Sequence, residues 1–423
     1  MRILWLSIFR AVHTGALLPI IMAVNLHHLN AQASFSVIHA FQGAPRDGAT
    51  PVSPLIRDLA GNLYGTTKYG GVTDYGTVFK INSAGDTSLL HSFCIETDCA
   101  GDGFRPVAGL IQDSSGNLYG TTSEGVGISV HYGTVFRLTP VAPGHWQETI
   151  LYNFTGGADG FGPVSGVIRD TKGDLYGTAV GSNNKSPLGL VYMLTPAASG
   201  PWPETVLHSF TGGLDGSGPM AGLLFDTRGN LYGTTADGGS GQHGVAFELK
   251  PGGAEGPWTE SELFSFDGGL DGGSPVAKLV IDTDGNLYGA ASAGTGNGGG
   301  GVVFRLNRSL SDPWSETILH TFCAAPECGD GNDPLAGVVR DSQGNLYGTT
   351  NRGGISASPN RYGVVYKIDS LGNETVLYAF TGGTDGSNPM ADLIIDKNGT
   401  LYGTTSSGGD PTCSCGTVFK IMQ

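Results

Sequence analysis

The sequence predicts an all-β fold, a seven-bladed β-propeller of four-stranded antiparallel blades, on three observations. A Gly-Asn-Leu-Tyr-Gly-Thr-Thr string, or a close variant, recurs around Tyr64, Tyr119, Tyr176, Tyr232, Tyr288, Tyr347 and Tyr402 at a period of about 56 residues. Within each period, short runs of β-branched and aromatic residues alternate with Gly-, Asp- and Pro-rich turns, without any helical period. Hairpin signals of the Asp-x-x-Gly-Asn kind separate neighbouring runs, and such tight turns require antiparallel neighbours.

The fourth repeat shows the elements in order. Glu204 to Phe210 reads as a strand, and Thr-Gly-Gly-Leu-Asp-Gly-Ser-Gly-Pro then turns the chain into a short apolar run from Met220 to Phe225. Asp226 to Asn230 is a hairpin turn, in which Asp can bond its own backbone and Gly can take positive φ. Leu231 to Thr235 and Gly244 to Leu249 supply the remaining strands, separated by a Gly-rich loop. A β-solenoid is the alternative, but its coils run nearer 20 to 30 residues and its strands are parallel. Seven blades fall within the four to eight that radial closure tolerates.

The repeats span approximately 35–86, 87–146, 147–203, 204–258, 259–314, 315–372 and 373–423, all within one propeller domain, 34–423. Their phase predicts how the ring closes. The chain enters on Phe35-Ser-Val-Ile-His-Ala-Phe41, an outermost strand, and ends on Gly416-Thr-Val-Phe-Lys-Ile421, a third strand, so the N-terminal strand (34–41) is expected to complete the last blade.

Ahead of it, Arg2 and Arg10, an apolar run from Ala16 to Val24 and the Ala31-Gln32-Ala33 site read as a signal peptide, 1–33. A membrane anchor is the rival, but Pro19 interrupts a run shorter than the roughly 20 residues a span needs. No later segment is apolar enough to span a bilayer, so a secreted, extracellular or periplasmic monomer is expected.

The formal charge of -15 and the pI near 4.9 exclude nucleic acid and anionic membrane surfaces as partners, since both demand a basic patch. The 71 glycines recur at fixed places beside apolar alternation and mark turns rather than disorder. Six cysteines fall into close pairs: Cys94 with Cys99, Cys323 with Cys328, Cys413 with Cys415. The first two pairs occupy one place in repeats two and six, which suggests local disulfides pinning lengthened loops. Zinc is the lesser reading, since about four ligands must converge and no His partner is evident. The third pair spans one residue, a strained and readily reduced arrangement if it forms.

The recurring string Glu-Thr-Val-Leu-His-Ser-Phe-Thr-Gly-Gly-x-Asp-Gly-x-x-Pro, followed by Asp-x-x-Gly-Asn-Leu-Tyr-Gly-Thr-Thr and Gly-Thr-Val-Phe-Lys-Ile, resembles the GloVer tandem repeat of bacterial secreted proteins. The resemblance covers the whole propeller region. It implies a secreted product and no assigned activity. Family members carry varied C-terminal surface anchors, and no such pattern follows the last repeat here, so a free rather than tethered product is expected.

Among candidate functional residues, the Asp of each Asp-Gly-x-x-Pro turn is the most regular: Asp47, Asp102, Asp159, Asp215, Asp271, Asp330 and Asp385. In a propeller this turn joins an outer strand to the next inner strand, so seven carboxylates are expected to ring one face near the central channel. A calcium or cationic-ligand collar is one reading. The other, favoured because every blade needs it alike, is that each Asp accepts hydrogen bonds in its own turn. No other cofactor is called for. The hairpin residues Asp58, Asp113, Asp170, Asp226, Asp282, Asp341 and Asp396 are expected to cap turns on the opposite face. Trp146, Trp202, Trp258 and Trp314 share one position, where packing is favoured over sugar stacking.

Function on a repeat scaffold resides where repeats differ. The loops after each second strand hold Lys68, Tyr69 and Asp74; Glu124 and His131; Asn183, Asn184 and Lys185; His243; Asn297; Arg352 and Arg361. Tyr69, His131, His243 and Arg361 join the aspartates as candidate ligand contacts. A secreted binding module for a glycan or an extracellular protein is the leading reading. A polysaccharide lyase or hydrolase at the channel mouth is the alternative, and a structural envelope protein is the third. There is no motif-level case for catalysis, since no nucleophile elbow, metal-protease helix or phosphate loop is present.

Overall fold

The protein is described by a computed structural model covering residues 33–95, 99, 102–125, 132–181, 188–253, 256–294, 299–309, 313–354 and 362–423. Residues 33–423 form one compact unit. The expected signal peptide lies outside the described residues but for Ala33. Among the described residues no α-helix is found, and no helix is long and apolar enough to cross a membrane.

Seven four-stranded antiparallel sheets form the blades of a β-propeller. Blade 1 comprises Ile56–Arg57, Leu63–Thr67, Thr77–Ile81 and Thr87–Ser92. Blade 2 runs from Ile111–Gln112 to His145–Asn153, blade 3 from Ile168–Arg169 to Glu204–Ser209, and blade 4 from Leu224–Phe225 to Thr259–Ser265. Blade 5 runs from Val280–Ile281 to Ser315–Thr321 and blade 6 from Val339–Arg340 to Glu374–Ala379. Blade 7 takes Ile394–Ile395, Leu401–Thr405 and Thr417–Met422, and its outer strand is the N-terminal Ser34–Ala40. Ser34 pairs with Met422 and Ala40 with Thr417, so the expected closure is present and both edges are covered.

The innermost strands are shorter than the apolar runs suggest. In blade 4 only Leu224–Phe225 pairs, while Met220 to Leu223 runs beside the channel.

The repeated string owes each residue to a separate contact. The Leu is buried in every blade. The Tyr hydroxyl donates to the hairpin Asp, as from Tyr64 to Asp58 (3.1 Å) and Tyr347 to Asp341 (3.0 Å), while that Asp also accepts the Asn N–H. The Gly lies under the third-strand aromatic: a Cβ on Gly233 would sit 2.6 Å from Phe247, its cross-strand partner. In five blades the first Thr donates to a backbone carbonyl of the next blade, as from Thr66 to Ala108 (3.0 Å) and Thr234 to Pro275 (2.6 Å). The second bonds locally, as Thr67 does to Thr77 across to the third strand (2.7 Å).

Every outer strand carries a β-bulge. In blade 3, Val191 faces His208 and Tyr192 faces Val206, so Leu207 is the extra residue. A bulge re-aims the side chains beyond it. Here it keeps Leu207 buried and sets His208 beside the turn leading to the next blade.

Candidate functional site

The Asp-Gly turns and the loops after the second strands share one face. Short antiparallel ladders join them: Gly48–Ala49 with Tyr69–Gly70 in blade 1, Gly103–Phe104 with Glu124–Gly125 in blade 2, and single bridges such as Ser217 to Asp237 in blade 4.

The aspartates do not ring the channel, which corrects the expectation from sequence. Their carboxylates fold back into their own turns and toward the outer strands. Asp47 Oδ2 accepts from Gln42 N (2.9 Å), Asp159 Oδ2 from Thr155 N (2.7 Å) and Asp215 Oδ2 from Thr211 N (2.9 Å). Backbone N–H groups capture these carboxylates before they can point inward. The channel itself is a cavity of about 250 Å³ walled by the segments after each turn. One wall position is glycine in four blades (Gly109, Gly166, Gly222, Gly337) and Pro54 in blade 1; a Cβ on Gly166 or Gly337 would sit 2.8 or 2.6 Å from a backbone carbonyl of the preceding blade. Lys278 and Asp392 take that position in blades 5 and 7. Asp392 accepts Gly337 N–H at 2.6 Å, and burial pushes its carboxyl above the usual range against the pull of that bond and of Lys278.

Outer-strand neighbours surround each aspartate at the blade junctions. A His or Tyr just past the bulge approaches it from one blade at six junctions, with Phe264 at that place in blade 4, and the first part of the next outer strand approaches from the other. Between blades 2 and 3, the Tyr152 hydroxyl lies 3.2 Å from both Asp159 Oδ2 and Glu204 Oε2. His208 stands 3.3 Å from Asp215 between blades 3 and 4, where Glu260 joins them. Between blades 7 and 1 His39 bonds Asp47 (3.0 Å), and Thr87 replaces the glutamate. Between blades 6 and 7 Tyr378 bonds Asp385 (3.0 Å), and Phe35 stacks on the Tyr378 ring at 3.8 Å.

Burial and the neighbouring aspartate therefore hold these glutamates protonated far above the ordinary carboxylate range. Burial first, then Asp159, pushes Glu204 up to about 7. Burial and Asp215 bring Glu260 to about 7, burial and Asp271 bring Glu316 to about 8, and burial and Asp330 bring Glu374 to about 7. Glu148, deepest of the set, rises to about 9 through burial and Asp102. The Glu of Glu-Thr-Val-Leu-His was not singled out from sequence, although its recurrence ahead of the His was a usable signal.

The remaining candidates scatter. Tyr69 is half-buried, with Lys68 Nζ 5.4 Å and Arg105 Cζ 5.7 Å from its ring centroid. His243 is exposed and lies over Gly268 of the next turn. These two stand on different blades. His131, Arg361, Asn183, Asn184, Lys185 and Asn297 lie outside the described residues. The tryptophans pack: Trp202 is 6 % exposed and leans on Tyr119 of the preceding blade, as Trp258 does on Tyr176. Cys94–Cys99, Cys323–Cys328 and Cys413–Cys415 are all disulfide-bonded.

A rim that the sequence reading missed lies on the loop-bearing face. The residue before the third-strand Gly is Tyr75, Tyr132, Leu188, His243 and Tyr362 in blades 1, 2, 3, 4 and 6 (Gly300 and Cys415 in blades 5 and 7), and Tyr132, Leu188, His243 and Tyr362 each cover the glycine turn that follows in the chain. Tyr75 and Leu188 remain 38 % and 41 % exposed, and Leu214 and Leu270 project at the tips of adjacent turns.

The profile of the Gloeobacter/Verrucomicrobia repeat matches residues 21–187 and 167–419. The chain belongs to this repeat family. No curated protein matches it. Among solved structures, the Gloeobacter/Verrucomicrobia repeat chain is similar to a candidate gluconolactonase with a TM-score of 0.43 at 12% identity, covering 93% of this chain and 92% of that one. It is also similar to PorZ, described as a surface component of the type-IX secretion system of Porphyromonas gingivalis, with a TM-score of 0.49 at 13% identity, covering 91% of this chain and 48% of that one. A puromycin-hydrolyzing peptidase of Mycobacterium tuberculosis aligns with a TM-score of 0.40 at 9% identity, covering 88% of this chain and 62% of that one. The repeat chain thus spans about half the length of PorZ.

Proposed function

We propose that the protein is an exported binding module that engages a glycan or an extracellular protein across its loop-bearing face. The observation that carries this reading is the rim of Tyr75, Tyr132, Leu188, His243 and Tyr362, with Leu214 and Leu270 exposed beside it. Aromatic rings offering one apolar face and a polar edge suit sugar rings and protein surfaces alike. Apolar groups clustered on one face are a mark of recognition rather than of solvation. Three disulfides favour an oxidising compartment, in keeping with export.

The enzyme alternative draws less support, because the carboxyl pairs belong to outer strands whereas the channel is walled by inner-strand segments. A glycan array and an extracellular-protein pulldown with the Tyr132→Ala, Tyr362→Ala and Leu270→Asp variants test the proposal. Binding weakened by these changes and unaffected by Leu59→Asp, on an exposed hairpin turn of the other face, supports it. Binding indifferent to the rim changes overturns it.

A further inference from the structure

We propose that His91, Asp102 and Glu148, at the junction of blades 1 and 2, form a binding site for a divalent transition cation of zinc-like preference. Their ligand atoms all lie within 4.8 Å of one another. His91 Nε2 is 3.6 Å from Asp102 Oδ2 and 3.8 Å from Glu148 Oε1. These separations are too long for hydrogen bonds. They approach the roughly 3.3–3.6 Å expected between ligands of a tetrahedral centre with bonds of about 2.0–2.2 Å. One imidazole and two carboxyl groups form a nitrogen–oxygen donor set suited to such a cation, which would displace the proton that Glu148 otherwise holds.

The second observation is that the polar atoms are buried without partners. His91 Nε2, Asp102 Oδ1 and Glu148 Oε1 each lack a hydrogen bond. An orphaned buried polar atom forfeits the hydration it had in water, so three together at one point call for an occupant. The same three atoms are orphaned between blades 5 and 6, at His320 Nε2, Asp330 Oδ1 and Glu374 Oε1, and the Asp330 side chain there is only 7% exposed.

What sets these two junctions apart is the disulfide loop. Cys94–Cys99 and Cys323–Cys328 each close the chain just ahead of the aspartate. Cys94 N–H donates to Asp102 Oδ2 at 2.6 Å, and the His91 ring is fixed edge-on to Phe93 at 4.6 Å. At junctions with unlengthened turns the aspartate instead meets its His or Tyr neighbour directly, as Asp47 does His39 at 3.0 Å and Asp385 does Tyr378 at 3.0 Å. Glutamate oxygens are orphaned at the other junctions too, at Glu204, Glu260 and Glu316, but only the two disulfide junctions add an orphaned His Nε2 among the described residues.

The test uses the full chain, purified without a histidine tag and stripped with EDTA, and titrated with ZnCl₂ by calorimetry. At least one equivalent of Zn²⁺ is expected. His91→Gln and Glu148→Gln should each weaken that equivalent by at least roughly 100-fold, the upper end of what loss of an outer-shell partner costs. His320→Gln should abolish any second equivalent, and Glu204→Gln, at a junction with tyrosine, should change neither. If a substituted chain fails to fold, Co²⁺ added to the unsubstituted chain supplies the readout, as the visible bands of a tetrahedral nitrogen–oxygen site. No Zn²⁺ uptake, Zn²⁺ uptake untouched by His91→Gln in a folded chain, or no tetrahedral Co²⁺ bands would each overturn the proposal.

Discussion

Phe41→Ala tests the ring closure. Phe41 follows the N-terminal strand, is fully buried, and meets Phe79 of blade 1 edge-on at 5.1 Å. It packs in one cluster with Leu55, Leu63 and Ile81 of blade 1 and with Val418 of blade 7. Its N–H donates to Gly416 O at 3.0 Å, so one residue joins the last blade to the first. Truncating a buried Phe to Ala costs about 3–5 kcal/mol. Unfolding entropy of about 2.1 cal/mol/K per residue over roughly 390 residues gives ~0.8 kcal/mol/K, so Tm should fall by about 4–6 °C. Differential scanning calorimetry reads this directly. Phe210→Ala, at the equivalent place in a blade of continuous chain, should cost about as much. Deleting residues 34–42 should cost far more and promote aggregation, because it bares the edge of Thr417–Met422. A deletion that melts with the full chain, or a Phe41→Ala shift under about 1 °C, would refute the reasoning.

Three further outcomes follow. Gly233→Ala drives a Cβ to 2.6 Å from Phe247 Cζ and 3.0 Å from Leu223, so overpacking should cost about 1–3 kcal/mol, read as a lower melt or denaturant midpoint. Asp113→Ala orphans the Asn117 N–H and the Tyr119 hydroxyl and should cost about 1–3 kcal/mol in the same assay. Glu204, faced by Tyr152, Asp159 and Tyr192, has its folded pKa raised to about 7, so its stabilising protonated form is fully present below about pH 4.5 and lost as pH rises through 7. Tm should therefore decline over that window, and less steeply in Glu204→Gln; identical profiles would contradict the assignment. The hairpin carboxylates act in the opposite direction. Although burial opposes it, bonds from Asn62 and Tyr64 hold Asp58 below its usual value, so its contribution is present at neutral pH and fades as pH falls through that depressed value.

Blade count, strand order and closure were legible because each rests on a pattern that repeats in phase. The tight hairpin chemistry of Asp-x-x-Gly-Asn and the alternation of Leu, Gly and Thr in the second strand are local signals. The position of Asp47 and its counterparts relative to the channel was not legible. That depends on which backbone N–H groups the folded turn presents, and Gln42 and Thr211 supply them. The acid pairs escaped notice because their members are about 45 residues apart and meet only when two outer strands flank one junction, as Asp159 and Glu204 do. The bulge at Leu207 escaped as well. One unpaired residue leaves the strand's composition unchanged but decides which flank His208 faces.

The threonine bonds that cross from each second strand to the next blade are not evenly distributed. Blades 1, 2, 3, 4 and 7 make them through Thr66, Thr121, Thr178, Thr234 and Thr404. Blade 6 leaves the Thr349 hydroxyl unused, and Asp392 takes over by holding Gly337 from the blade 7 side. Blade 5 carries Ala290 and has nothing to donate. The circle therefore has a parting line. It would breathe between blades 5 and 6, away from the seam where its two chain ends meet, and amide exchange in Val339–Arg340 should outpace that in Ile56–Arg57.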